Sequence, residues 1–210
     1  MSNECFDDKP KLLGSLEARV ARRAELCVPH IAPLTTFVDA LRAEKGSDYK
    51  IPYFDPWDGG IAAEVLFLLE APGPKAVKSG FISRNNPDES AKNFFELNQQ
   101  AGILRKRTTL WNIVPWFICS GSRIRAANSV DIHDGIRSLK SVLDLLPNLR
   151  AIVLVGKKAQ YGKFRIEKLC SNIKFFNSPH PSPQFVNRAP YNRKAILAVL
   201  QEVADFLDMS

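Results

Sequence analysis

The chain has no run of eighteen or more apolar residues, so its sequence offers no membrane-spanning helix. Its first residues, Met1-Ser2-Asn3-Glu4-Cys5-Phe6-Asp7-Asp8-Lys9, lack the basic start and apolar centre of a secretory leader, and a cytoplasmic location is expected. Cysteine is sparse and scattered: Cys5, Cys27, Cys119 and Cys170 form no Cys-x-x-Cys pair and have no histidine at ligand spacing. They read as structural thiols, and neither a metal nor a cofactor is expected. A Gly-x-Ser-x-Gly nucleophile elbow is missing, which weakens a hydrolase reading built on Ser182 with His180 or on the serines of Cys119-Ser120-Gly121-Ser122. Val155-Gly156-Lys157-Lys158 lacks the Gly-x-x-x-x-Gly-Lys spacing of a nucleotide-phosphate loop. Internal repeats and low-complexity segments are absent as well.

What is present fits one compact soluble unit. Of 210 residues, 45% are hydrophobic and 24% charged, enough for a single sizeable core. Lys and Arg number 29 against 22 Asp and Glu, and the net charge of +7 favours a polyanionic partner such as nucleic acid. Two helices open the chain, one over residues 11–27 with Leu12, Leu13, Leu16 and Val20, the other over 34–41 after Pro33. Residues 52–60 are turn formers; Asp55 and Asp58 there could face a cation, although turn chemistry accounts for them more simply.

Four apolar runs then read as buried strands: 65–69, 109–114, 151–155 and 173–176. Helical patterns separate them, one holding Phe94, Phe95 and Leu97, another Ile132, Ile136, Leu139, Leu143 and Leu146. A last strong helix carries Ile196, Val199, Leu200, Val203, Phe206 and Leu207. This alternation predicts an α/β fold, a three-layer α/β/α sandwich around a short, mainly parallel sheet. Residues 1–63 form a helical extension packed on that core, and 64–210 form the α/β domain. Functional groups should gather at the carboxyl ends of the strands, in the loops 70–86, 112–122 and 178–185 and the turn at Gly156.

One of those loops is Ser178-Pro179-His180-Pro181-Ser182-Pro183. Three prolines fix φ and restrict the residues before them, so the segment can continue neither a helix nor a central strand. It is a stiff loop that presents His180 in one direction. Together with Leu69-Glu70-Ala71-Pro72-Gly73-Pro74, then Gly80-Phe81, and with Leu110-Trp111-Asn112-Ile113-Val114, it resembles the motifs of the uracil-DNA glycosylase superfamily, over roughly residues 64–208.

That resemblance implies a DNA repair glycosylase that takes a deaminated base out of the stack and hydrolyses its N-glycosidic bond. It casts Phe81 as the ring that stacks on the base and Asn112 as the amide that reads its edge, with Ala71 and Gly73 beside it. His180 would donate to the base O2 as charge grows there. Ser182, Pro183, Gln184 and Phe185 would meet the DNA with Arg188 and Lys157, the stretch 184–186 wedging into the duplex. The chain departs from the family where Leu69 replaces a glycine, and where Ala71 occupies a position at which some members carry a water-activating Asp or Asn. The water-activating group is therefore open among Glu70, Asn85, Asn86 and Asp88. The expected protein is a monomer acting on DNA without a membrane. The competing reading is a catalytically weak member that binds damaged or single-stranded nucleic acid.

Overall fold

The computed structural model describes residues 6–120 and 123–209. Cys5, Gly121 and Ser122, named above, lie outside these. A short 3-10 turn, Leu12–Gly14, precedes α1 (Leu16–Ala24) and α2 (Ala32–Lys45), followed by β1 (Tyr53–Phe54) and β2 (Val65–Leu69). Then come α3 (Pro74–Ser79), β3 (Phe81–Ile82), α4 (Glu89–Gln100), β4 (Thr108–Asn112), β5 (Cys119–Ser120) and β6 (Arg123–Ile124). The remainder is α5 (Ser129–Asp144), β7 (Ala151–Val155), α6 (Lys157–Tyr161), α7 (Lys163–Glu167), β8 (Lys174–Ser178), α8 (Pro183–Val186) and α9 (Pro190–Asp208).

The central sheet has the order β4-β2-β7-β8 with every pair parallel. Its apolar runs have no polar alternation because both faces are covered. Side chains alternate across a strand, so the ring contacts show which helix covers which face. Phe67 of β2 meets Phe94 of α4 edge to face at 4.9 Å, and Phe176, in register through Val153, meets Phe206 of α9 at 5.8 Å. Trp111 on the opposite face meets Phe37 of α2 at 6.1 Å and stacks on Phe54 at 4.0 Å. Helices α4 and α9 thus form one layer, and α2 lies in the other. Helix α5 packs beside α2 in that layer, and Gly135 lets it approach the chain just after β4, where a Cβ would sit 1.9 Å from the Ile113 carbonyl oxygen.

The N-terminal stripe differs from expectation. Leu12 and Leu13 are buried, but Leu16 and Val20 are 61% and 62% exposed. The helix starts at Leu16 with Ser15 as its cap, not at residue 11, so the turn before it rotates its inner face onto Ala18 and Arg22. Two strands are also displaced: the expected 109–114 runs 108–112, and 173–176 becomes 174–178. The latter shift carries β8 directly to the proline loop.

Candidate active site

At the carboxyl edge of the sheet, the loops after β2, β4 and β8 and the start of α4 surround a cavity of about 380 Å³, within the range of small-ligand sites. Ala71, Pro72 and Gly73 wall it on one side, Asn112 closes the end of β4, and His180 and Pro181 face them. Asp88, Ser90, Ala91 and Phe94 come from α4 and its cap.

The His180 loop is held from several directions. Gly156 N–H and Gln160 Nε2 both donate to the Ser178 carbonyl, at 2.8 and 2.9 Å. Asn93 Nδ2 of α4 donates to the Pro181 carbonyl at 3.0 Å, and Ser182 Oγ caps α8. Gly156 has φ +85 and ψ 163, a conformation open essentially to glycine alone, and a Cβ there would lie 3.2 Å from His180 Cβ. The imidazole itself forms no hydrogen bond with any described residue and so keeps its donor for a ligand.

Burial lowers the His180 pKa, while the negative charges of Glu70 and then Asp88 oppose that shift. The ring is neutral at pH 7. A proton titration by NMR should give a midpoint below the ordinary 6.5, and Asp88→Asn should lower it further by removing an opposing charge. Because the folded-state value is depressed, the associated stability is present above about 6.5 and lost as pH falls through the folded-state pKa. A midpoint at or above 6.5 would contradict the burial that the fold assigns to this ring.

Asn112 is 3% exposed, and its Nδ2 has no acceptor among the described residues. A buried amide left so costs roughly 1–3 kcal/mol, which marks it as a group awaiting a partner in the cavity. Asp88 caps α4, its Oδ1 accepting from Ala91 N–H at 2.9 Å, and no described residue donates to its second oxygen. Glu70 is directed elsewhere. Its Oε1 accepts from Ala127 N–H at 2.7 Å, while Lys158 Nζ donates to the Ala127 carbonyl at 2.6 Å, so both grip the peptide before α5.

Several expected site residues stand apart from this cavity. Phe81 is fully buried and is not part of the cavity wall. Strand alternation explains this: β3 turns Phe81 into the core beside Tyr53 and gives the cavity Ile82 instead. The aromatic at the wall is Phe94, which the sequence shows only as one more apolar residue of a helix. Asn85 also lies away from the cavity. Its amide donates to Asp8 Oδ1 and the Lys9 carbonyl and accepts from Arg105 Nη1. Asn86 reaches the cavity but is occupied structurally, accepting from Ser79 Oγ and donating to the Phe81 carbonyl. Val186 is buried in the core and cannot form a wedge, whereas Gln184 is exposed and Phe185 is half-buried against the core. Pro183 opens α8, and Lys157 and Arg188 are exposed with no carboxylate within 4 Å among the described residues.

Beneath the cavity lies a buried ion cluster that sequence reasoning missed. Asp55 accepts from Arg22, Ser83, Arg105 and Trp57 N–H; Asp58 accepts from Arg105 Nε at 2.7 Å and faces Arg84 Nε at 3.6 Å. The cations at the two turn aspartates are therefore guanidinium groups. Burial pushes the Asp55 carboxyl up, but Arg105 and Arg22, with Ser83 and Trp57, more than offset this and hold it at about 2. Burial wins at Asp58, where Oδ2 has no donor among the described residues, and its pKa is raised. Ser83 and Arg84 line the cavity, so the N-terminal segment buttresses its floor through Asp55 and Asp58.

The sequence profile of the Uracil DNA glycosylase superfamily matches residues 56–204. No protein of curated function matches the chain. Among solved structures, SMUG2 from Pedobacter heparinus aligns over 87% of both chains at 13% identity with a TM-score of 0.57, a likeness of fold. A protein from Methanosarcina acetivorans, provisionally described as a uracil DNA glycosylase, aligns over 68% of this chain and 92% of its own at 16% identity and TM-score 0.47. A mimivirus UNG variant in complex with UGI aligns over 90% of this chain and 82% of its own at 13% identity and TM-score 0.38.

Proposed function

Because the chain belongs to the uracil-DNA glycosylase superfamily, we propose that it hydrolyses the N-glycosidic bond of uracil or another deaminated base in DNA and leaves an abasic site. The observation that carries this reading is the meeting, in one cavity, of His180, the unpartnered amide of Asn112 and the carboxylate of Asp88. A flipped base enters the cavity edge-on to Asn112, whose amide pairs with a carbonyl and an adjacent N–H of the ring. As the glycosidic bond lengthens, charge grows on the base O2 and the neutral His180 donates to it, in an orientation already fixed by its loop. The second oxygen of Asp88 accepts a proton from the water that attacks the sugar carbon.

This reading assigns water activation to the cap of α4, in place of the first motif, where Ala71 offers no polar atom. Glu70 then has a supporting role through Ala127. Asp88→Asn, which can still cap the helix, should slow excision by about 10²-fold, whereas Glu70→Gln should change it far less.

The test is an assay on end-labelled single- and double-stranded oligonucleotides carrying uracil, hypoxanthine or xanthine, with alkali to cut abasic sites. Cleavage that His180→Ala slows by about 10²–10³-fold supports the proposal and identifies the lesion. No cleavage at stoichiometric protein with DNA binding intact would leave a binding protein, the reading that Leu69 and Ala71 favour.

A further inference from the structure

A second, smaller cavity of about 200 Å³ opens between α1, α2 and α3, lined by Arg23, Arg42, Tyr49, Lys50, Val77 and Gly80. Three of these are cations and none is an acid. Arg42 is engaged, donating to the Ile51 carbonyl and facing Asp39 at 3.5 Å. Arg23 and Lys50 are exposed and have no carboxylate within 4 Å among the described residues, and Lys50 Nζ donates at 2.9 Å only to the exposed Ser47 carbonyl.

Arg23 is nevertheless well placed. Its guanidinium lies against Gly80, where a Cβ would come within 2.7 Å of Nη2, and over the Tyr53 ring at 6.0 Å. Capping the carboxyl end of α3 would explain one such arginine, but Arg19 Nη1 already donates to the Lys78 carbonyl there. Arg23 makes no hydrogen bond to a described residue.

Helix α3 is the ridge between this cavity and the candidate active site: Lys75 lines the larger cavity, and Val77 and Gly80 line the smaller. Lys75 and Lys78, both exposed, stand one turn apart on the ridge. Six residues of helix span about 9 Å, close to three nucleotides of a stacked strand at roughly 3.4 Å each. The cations thus run from the active-site mouth along α3 to the N-terminal helices.

We propose that Arg23 and Lys50 form a second phosphate site, which grips the backbone of the substrate DNA strand about three nucleotides from the flipped base. The inference rests on the glycosylase reading for the identity of the polyanion. It gives the helical extension a direct part in holding DNA.

The test measures binding of the full chain to single-stranded oligonucleotides carrying a tetrahydrofuran abasic analogue, in two lengths, as a function of salt. The short one ends one nucleotide beyond the lesion on each side, and the long one extends well past α3 in both directions. For Arg23→Ala combined with Lys50→Ala, affinity for the long strand should fall about tenfold, and the slope of log K against log salt should shrink by about 1.4, for two single-strand phosphate contacts. Affinity for the short strand and the single-turnover rate on bound substrate should stay unchanged. Arg23→Lys with Lys50→Arg should restore the slope, which a purely structural role for these side chains would not predict. Equal losses on both lengths, or an unchanged slope, would overturn the second site. Wild-type chain that prefers long over short strands but excises nothing would remove the glycosylase reading alone, whereas excision with no length preference would remove only this inference.

Discussion

Replacing His180 by alanine should reduce single-turnover excision by about 10²–10³-fold, the range for deleting a preorganised donor at a developing oxyanion, while DNA affinity changes little. The expectation follows from how the loop is built. Its carbonyls at Ser178 and Pro181 are fixed by Gly156, Gln160 and Asn93, but nothing in the described protein bonds the ring. The residue's hydrogen-bonding capacity is therefore reserved for a ligand, and truncation removes that contact without leaving a broken internal network. A group that acts mainly in ground-state binding would raise KM at constant kcat; a donor that meets charge only at bond breaking lowers kcat. His180→Gln, which keeps a donor of different geometry, should retain part of the rate. Wild-type rates in His180→Ala would remove the donor role entirely.

The parts of the site that could be read from the sequence are those where backbone chemistry leaves a local mark. Prolines around His180 and the position of Asn112 at the end of an apolar run each carry a short-range signal, and the family motifs set them in order. The alternation of strands and helices likewise gives the three-layer architecture, because strands covered on both faces must be apolar throughout. Facing was not legible. Phe81 and Ile82 differ by one position on β3, and only the tertiary placement of that two-residue strand decides which of them meets the cavity. Phe94 carries the same pattern whether it packs against Phe67 alone or also walls a cavity. The ion cluster was hidden for a different reason. Its members come from residues 8, 22, 55, 58, 84 and 105, and separations of this size leave no spacing rule to read. Asp55 and Asp58 in a proline-rich turn look like ordinary turn formers, and Arg22 sits where helical periodicity alone would put an exposed charge.

That cluster gives the largest stability effect expected for a single substitution. Asp55→Ala should destabilise the fold by about 3–5 kcal/mol in urea unfolding, the usual result of removing one partner from a buried ion pair. Arg22 is 1% exposed, stacks on Trp57 at 3.5 Å, and has no other carboxylate within 4 Å among the described residues, so its charge would stay buried and uncompensated. Arg105 would keep Asp58 and Asp8, and Ser83 Oγ at the cavity floor would lose its acceptor. By contrast, breaking the exposed Lys140–Asp144 pair should cost no more than about 1 kcal/mol. Acid provides a second check. The Asp55 carboxyl is held at about 2 in the folded chain, so its contribution is complete above the unfolded value of 3.8 and disappears as pH falls through about 2. The wild-type advantage over Asp55→Ala should therefore narrow in that window. Asp58 has the opposite sign: its raised pKa gives a contribution that is present below the unfolded value of 3.8 and lost as pH rises through the higher folded-state value. A loss below about 1 kcal/mol at pH 7 would mean that solvent reaches Arg22, and that the N-terminal helices are not the buttress of the cavity floor.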